Sequence, residues 1–183
     1  AAVSPARRDD GVCIQDRVQA PRAPVRKAPR VTGRGFAFGA VQCRWQASGP
    51  DRPAIARHWL GTLPGVDGGA ALQRDARARP RLPAGHGDVG WAHTRGQLLL
   101  AYAPHGQVGV DVEAGDRRVR VAELARRYFA PEATAGLLAL QGDAQRLAFL
   151  GLWCAKEAVL KAHGHGLAFG LHRLVFEPAS DTP

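Results

Sequence analysis

The chain has 183 residues, 45% of them hydrophobic and 22% charged, with a formal net charge of +9. That length can bury a real core, in one domain or in two small similar halves, and no apolar run approaches the roughly 18 residues of a membrane span. Three cysteines, Cys13, Cys43 and Cys154, without CxxC spacing or a paired framework, exclude a disulfide-built scaffold and lead us to expect a reducing, cytoplasmic setting.

Residues 1–58 hold eleven Lys and Arg against four Asp and Glu, so +7 of the net +9 lies in the first third. Within it, PRAPVRKAP (21–29) mixes proline, alanine and basic residues with little apolar periodicity, which predicts a basic, partly disordered segment over 1–51. It lacks the continuous apolar stretch of a signal peptide. Neither an aromatic-interleaved basic stripe nor zinc-finger spacing accompanies the charge, which argues against nucleic acid as a partner.

PAIARHWLGTL (53–63) predicts a helix with Pro53 in its first turn and Gly61 near its end. RDARARPRLP (74–83) reads as an irregular basic link. GWAHT and GQLLLAYA (90–103) predict two strands joined at Arg95 and Gly96, and QVGVDVE predicts a third. In GVDVE (109–113) apolar and acidic residues alternate, so a strand would turn Asp111 and Glu113 to the face opposite Val110 and Val112.

VRVAELARRYF (119–129) and PEATAGLLAL (131–140) predict short helices. AQRLAFLGLWCAKEAVLKA (144–162) predicts a long one, stopped by Gly164 and Gly166, with a buried stripe of Leu147, Leu150, Val159 and Leu160. HRLVFE (172–177) predicts a last strand. In the long helix Trp153, Glu157 and Lys161 recur at a spacing of four and share a face. Lysine is rare in this chain: of 25 basic residues 22 are Arg, yet two of the three lysines, Lys156 and Lys161, fall in this one window. A bland reading of Glu157 and Lys161 is an ordinary solvated pair; GVDVE upstream weighs against it. The histidines His163 and His165 lack a third ligand at metal spacing and read as helix-end features.

GVDVE followed some forty residues later by WCAKEAVLK (153–161) resembles the two signature motifs of the 4′-phosphopantetheinyl transferases, which move the phosphopantetheine arm of coenzyme A onto a serine of a carrier protein. A third family block is matched in part by WAHT (91–94), which supplies His93 but has Ala92 where the family usually has serine. The resemblance covers roughly residues 52–177 and implies an α+β fold of two similar halves related by a pseudo-twofold axis, here 52–105 and 106–183, the second shortened. It implies a magnesium site on Asp111, Glu113 and Glu157, with manganese as a substitute. Coenzyme A is implied as substrate, with His93, Lys156, Lys161 and Arg79 as its contacts, Lys156 in a supporting phosphate or structural role. Lys161 is expected to neutralise phosphoryl oxygens, and Glu157 or a metal-bound water to take the proton of the carrier serine. The expected partner is an acyl or peptidyl carrier protein, served by a monomer. The competing expectation, prompted by Ala92, is a catalytically silent binding or interaction protein of the same fold.

Overall fold

Strands come first in the chain and helices last. The computed structural model describes residues 33–67 and 72–176, and the elements below belong to one unit, Val25–Leu174. β1 (Arg34–Phe38) and β2 (Val41–Ala47) form a hairpin, followed by α1 (Arg52–Leu60). Asp51 caps α1 by accepting the Ala54 N–H at 2.9 Å, and Pro53 stands in its first turn. Two short strands, β3 (Gln73–Arg74) and β4 (Pro80–Arg81), lead to β5 (Asp88–Thr94) and β6 (Gln97–Ala103). The β5–β6 turn has positive φ at both central residues, 44° at Arg95 and 73° at Gly96, as a type I′ hairpin turn requires.

The main sheet is antiparallel throughout, in the order β1-β2-β6-β5. Period-two alternation gives it two apolar faces. On one, Val89, Leu98, Leu100 and Tyr102 pack against Ala56, Trp59 and Leu60 of α1. On the other, Cys43, Ala101 and Ala103 pack against Val108, with Val41 and Val110 beside them.

Three further α-helices follow the sheet: α2 (Val121–Tyr128), α3 (Pro131–Leu138) and α4 (Gly142–His163). Phe129, Phe149 and Trp153 form an aromatic cluster at the α4 end of this group, with Phe129 and Phe149 stacked at 5.4 Å. α4 stops at Gly164, whose φ of 73° is left-handed and whose N–H returns to the Leu160 carbonyl. Of the predicted stripe, Leu150 and Leu160 are buried and Leu147 and Val159 half-buried, while Phe149 and Lys156 join the buried set.

The α+β class stands, and several expectations do not. Residues 34–47 of the segment expected to be partly disordered are two strands of the main sheet, and residues 1–32 lie outside the described residues. Residues 109–113 belong to no strand, and 171–173 form a 3-10 turn where a strand was expected, with Glu177 outside the described residues. The link at 74–83 contains the β3–β4 pair. Among the described residues no second sheet follows residue 103, so the repeat of two similar halves has no counterpart there.

Candidate active site

The segment 108–113 is held between the sheet and α4 by two close approaches. A Cβ on Gly90 would lie 3.2 Å from the Val108 carbonyl oxygen, and one on Gly109 would lie 1.9 Å from the Ala158 carbonyl oxygen and 2.5 Å from the Ala162 nitrogen. Glycine is needed at 109 because backbone meets backbone there. The segment needs no strand neighbour, because Val108 donates its N–H to Asp88 Oδ2 at 2.7 Å and its carbonyl accepts from Arg79 Nη2 at 2.9 Å. This is why an alternating sequence can stand here without joining a ladder.

The alternation still sorts the side chains. Val108 and Val110 turn to the sheet, and Asp111 turns to α4. There the face of Cys154, Glu157 and Lys161, at spacings of three and four, meets it. Lys161 Nζ lies 2.5 Å from Asp111 Oδ1, with the Asp111 side chain 11% exposed. Lys161 thus crosses to an acid fifty residues away. Cys154 shares that face, and burial, then the Asp111 charge, push its thiol up to about 12, so it is no nucleophile.

Burial raises the Glu157 carboxyl above the ordinary range; the charges of Asp111 and Glu113 add to this and Lys161 opposes it. The three carboxylates therefore share one field. Glu113 also pairs with Arg117, one turn on. Chemically the set fits a hard divalent cation: three carboxylates repel one another, and the Lys161 ammonium stands on Asp111 as a cation would. As placed, no group of three His, Cys, Asp or Glu among the described residues is gathered tightly enough to hold a metal ion.

Beside this cluster opens a cleft of about 470 Å³, its walls including Arg74, Arg77, Trp91, Val108, Lys161 and His165. Arg74 lies over the Trp91 ring at 5.7 Å, and Arg77 donates to the Gly164 carbonyl at 2.8 Å. A basic wall over an aromatic floor suits an anionic ligand carrying a planar group.

Two of the three remaining expected contacts have their charged groups engaged inside the protein, although Arg79 also lines the cleft. Arg79, expected to meet a nucleotide, is 8% exposed and turned inward: Nε donates to the Lys161 carbonyl at 2.7 Å, and the two terminal nitrogens grip the Asp88 carboxylate. Lys156, expected near phosphate, is 1% exposed and donates to the Leu171 and Leu174 carbonyls, with the Phe129 ring 5.0 Å away. Helix geometry turns it about 100° from Glu157. His93 is exposed on β5 and is not among the residues that line the cleft, although Trp91 on the same strand face is. Sequence reasoning missed Asp88, Cys154, Arg74 and Arg77. The basic run RDARAR was the available signal for the arginines, whereas nothing local marks Asp88.

Residues 107–183 match the model of the 4′-phosphopantetheinyl transferase superfamily. The Synechocystis sp. protein slr0495, whose name carries 4′-phosphopantetheinyl transferase as a provisional designation, is 36% identical over 84 residues, 46% of this chain and 34% of that protein. The 4′-phosphopantetheinyl transferase HetI of Nostoc sp. is 30% identical over 119 residues, 62% of this chain and 50% of HetI. The chain thus spans half or less of the length of these two relatives. The likeness to the 4′-phosphopantetheinyl transferase superfamily is thus carried by residues 107–183, which hold the acidic segment and the face of α4 that meets it.

Proposed function

We propose that this protein transfers the 4′-phosphopantetheine group of coenzyme A to a serine of an apo acyl or peptidyl carrier protein, with magnesium, releasing adenosine 3′,5′-bisphosphate. The observation that carries the reading is the meeting of Asp111 with Lys161 at 2.5 Å, with Glu157 in the same field, at the edge of an arginine-walled cleft. The family match over residues 107–183 and the relatives' names support it.

In this reading Arg74 and Arg77 hold the nucleotide phosphates, and Trp91 offers a surface to the base. The serine oxygen attacks the phosphorus that bears the pantetheine arm, and the bond from that phosphorus to the bridging oxygen breaks. The electron pair leaves on the nucleotide phosphate, where the Lys161 ammonium offsets the growing charge. Glu157, on the same helix face as Lys161, takes the serine proton. Asp111, Glu113 and Glu157 would hold the magnesium ion, which supplies Lewis-acid stabilisation of phosphate charge when bound.

The test is direct. The chain is incubated with apo carrier protein, coenzyme A and magnesium, and the carrier is weighed by mass spectrometry. Gain of the phosphopantetheine mass is expected. An unchanged carrier, with coenzyme A still binding the protein, would favour the silent binding protein of the same fold.

A further inference from the structure

We propose that Arg79 and Asp88 are a positioning pair that sets where Asp111 and Lys161 stand relative to each other. Its activity arm rests on the transferase reading above; its structural arm does not.

Asp88 is 4% exposed at the start of β5, and Arg79 is 8% exposed just before β4. Their side chains form a two-pronged ion pair, with Arg81 Nη1 3.9 Å from the same carboxylate. What matters is where the spare valences go. Asp88 Oδ2 also accepts the Val108 N–H at 2.7 Å, and Arg79 Nη2 also donates to the Val108 carbonyl at 2.9 Å. Both backbone groups of a residue three places before Asp111 are thereby held. Arg79 Nε donates to the carbonyl of Lys161 itself at 2.7 Å. That carbonyl belongs to the last turn of α4, where carbonyls have no partner within the helix, and a guanidinium there is also favoured by the helix dipole. One buried pair therefore grips the backbone on both sides of the contact between Lys161 and Asp111.

A buried ion pair contributes little stability compared with apolar packing of the same volume, but its directional bonds fix register. The fork of Arg79 holds four acceptor oxygens on three residues at fixed angles, which a lysine ammonium cannot reproduce. Carboxylate and ammonium held this way approach a substrate in one geometry, and misplacement by about 1 Å costs on the order of a hundredfold in rate.

Two conservative variants of the full chain test the proposal, Asp88→Asn and Arg79→Lys. With apo carrier, coenzyme A and magnesium, both should lower kcat by roughly a hundredfold while KM for the carrier stays within about twofold, since docking is untouched. Hydrogen–deuterium exchange, read by mass spectrometry without substrate, should rise jointly in residues 106–113 and 158–165 and stay level in β2 and α1. Unchanged kcat, unchanged exchange in those two segments, or a uniform rise along the chain would overturn the proposal, the last because it describes an ordinary stabilising pair. If the unsubstituted chain transfers nothing, the transferase reading fails, and the exchange pattern still decides whether the pair positions the two segments.

Discussion

Lys156 and Lys161 lie five positions apart on α4 and do opposite things. Lys161 keeps its ammonium at the cleft edge, with 41% of its side chain exposed, whereas Lys156 is sealed in and spends its donors on two carbonyls. Lys161→Ala should therefore abolish most transfer and leave the melting temperature nearly unchanged. Lys156→Met should do the reverse, costing about 1–3 kcal/mol by stranding the Leu171 and Leu174 carbonyls. Calorimetry and the mass assay on both variants check this. Should Lys156→Met keep full stability and lose transfer, the roles are exchanged. Burial also pulls the Lys156 ammonium down from 10.5 to about 8. Between those values the unfolded chain binds the extra proton, so this lysine makes stability rise with pH across the window. Denaturation at a series of pH values should show the protein gaining on Lys156→Met from about pH 8 to pH 10; a constant difference would mean that the ammonium stays charged.

The acidic segment and α4 act together through a backbone approach that leaves no room for a methyl group. Gly109→Ala would drive a Cβ into the Ala158 carbonyl, so the segment must lift away from the helix. A loss of about 1–3 kcal/mol is expected from overpacking alone. Transfer should fall further than stability explains, because Asp111 moves with the segment; an active Gly109→Ala protein would show that Asp111 need not lie against α4. Charge at the same junction supplies a second prediction. Asp111→Asn and Glu157→Gln should each remove most transfer with the fold retained, and EDTA should stop the unsubstituted protein until magnesium or manganese is returned. Transfer at full rate in EDTA would dismiss the metal.

Over the whole molecule the dominant quantity is the net charge of +9, of which +7 falls in residues 1–58. If the partner is acidic around its serine, this field steers the encounter, and steering weakens once the Debye length contracts below about 10 Å. The association rate with an acidic carrier, followed by stopped-flow, should drop as salt rises from low to several hundred millimolar. A rate indifferent to salt would place recognition in apolar contact instead.

Much was legible in sequence because the signals were local. Helices α1 to α4 announced themselves by apolar period, proline starts and glycine stops, and the β5–β6 hairpin by its Arg95-Gly96 turn, since each depends on residues within a few positions. β2 carried a period-two pattern in Val41, Cys43 and Trp45, but the basic composition around it masked the signal. The pairing of GVDVE with the lysine helix was implied by the resemblance of the two blocks to family motifs, while helical spacing alone puts only Glu157 and Lys161 on one face. What the sequence by itself determined was the α-helices, the β5–β6 hairpin and the residue types of the candidate site. Tertiary structure decided which groups face inward: Arg79 and Lys156 look like phosphate ligands as letters, and become buried because carbonyls from residues far along the chain are waiting there. It also decided that an alternating stretch is not a strand, since Asp88 and Arg79 satisfy the Val108 backbone and Gly109 lies on α4. Such outcomes depend on partners tens of residues away, and no local pattern encodes them.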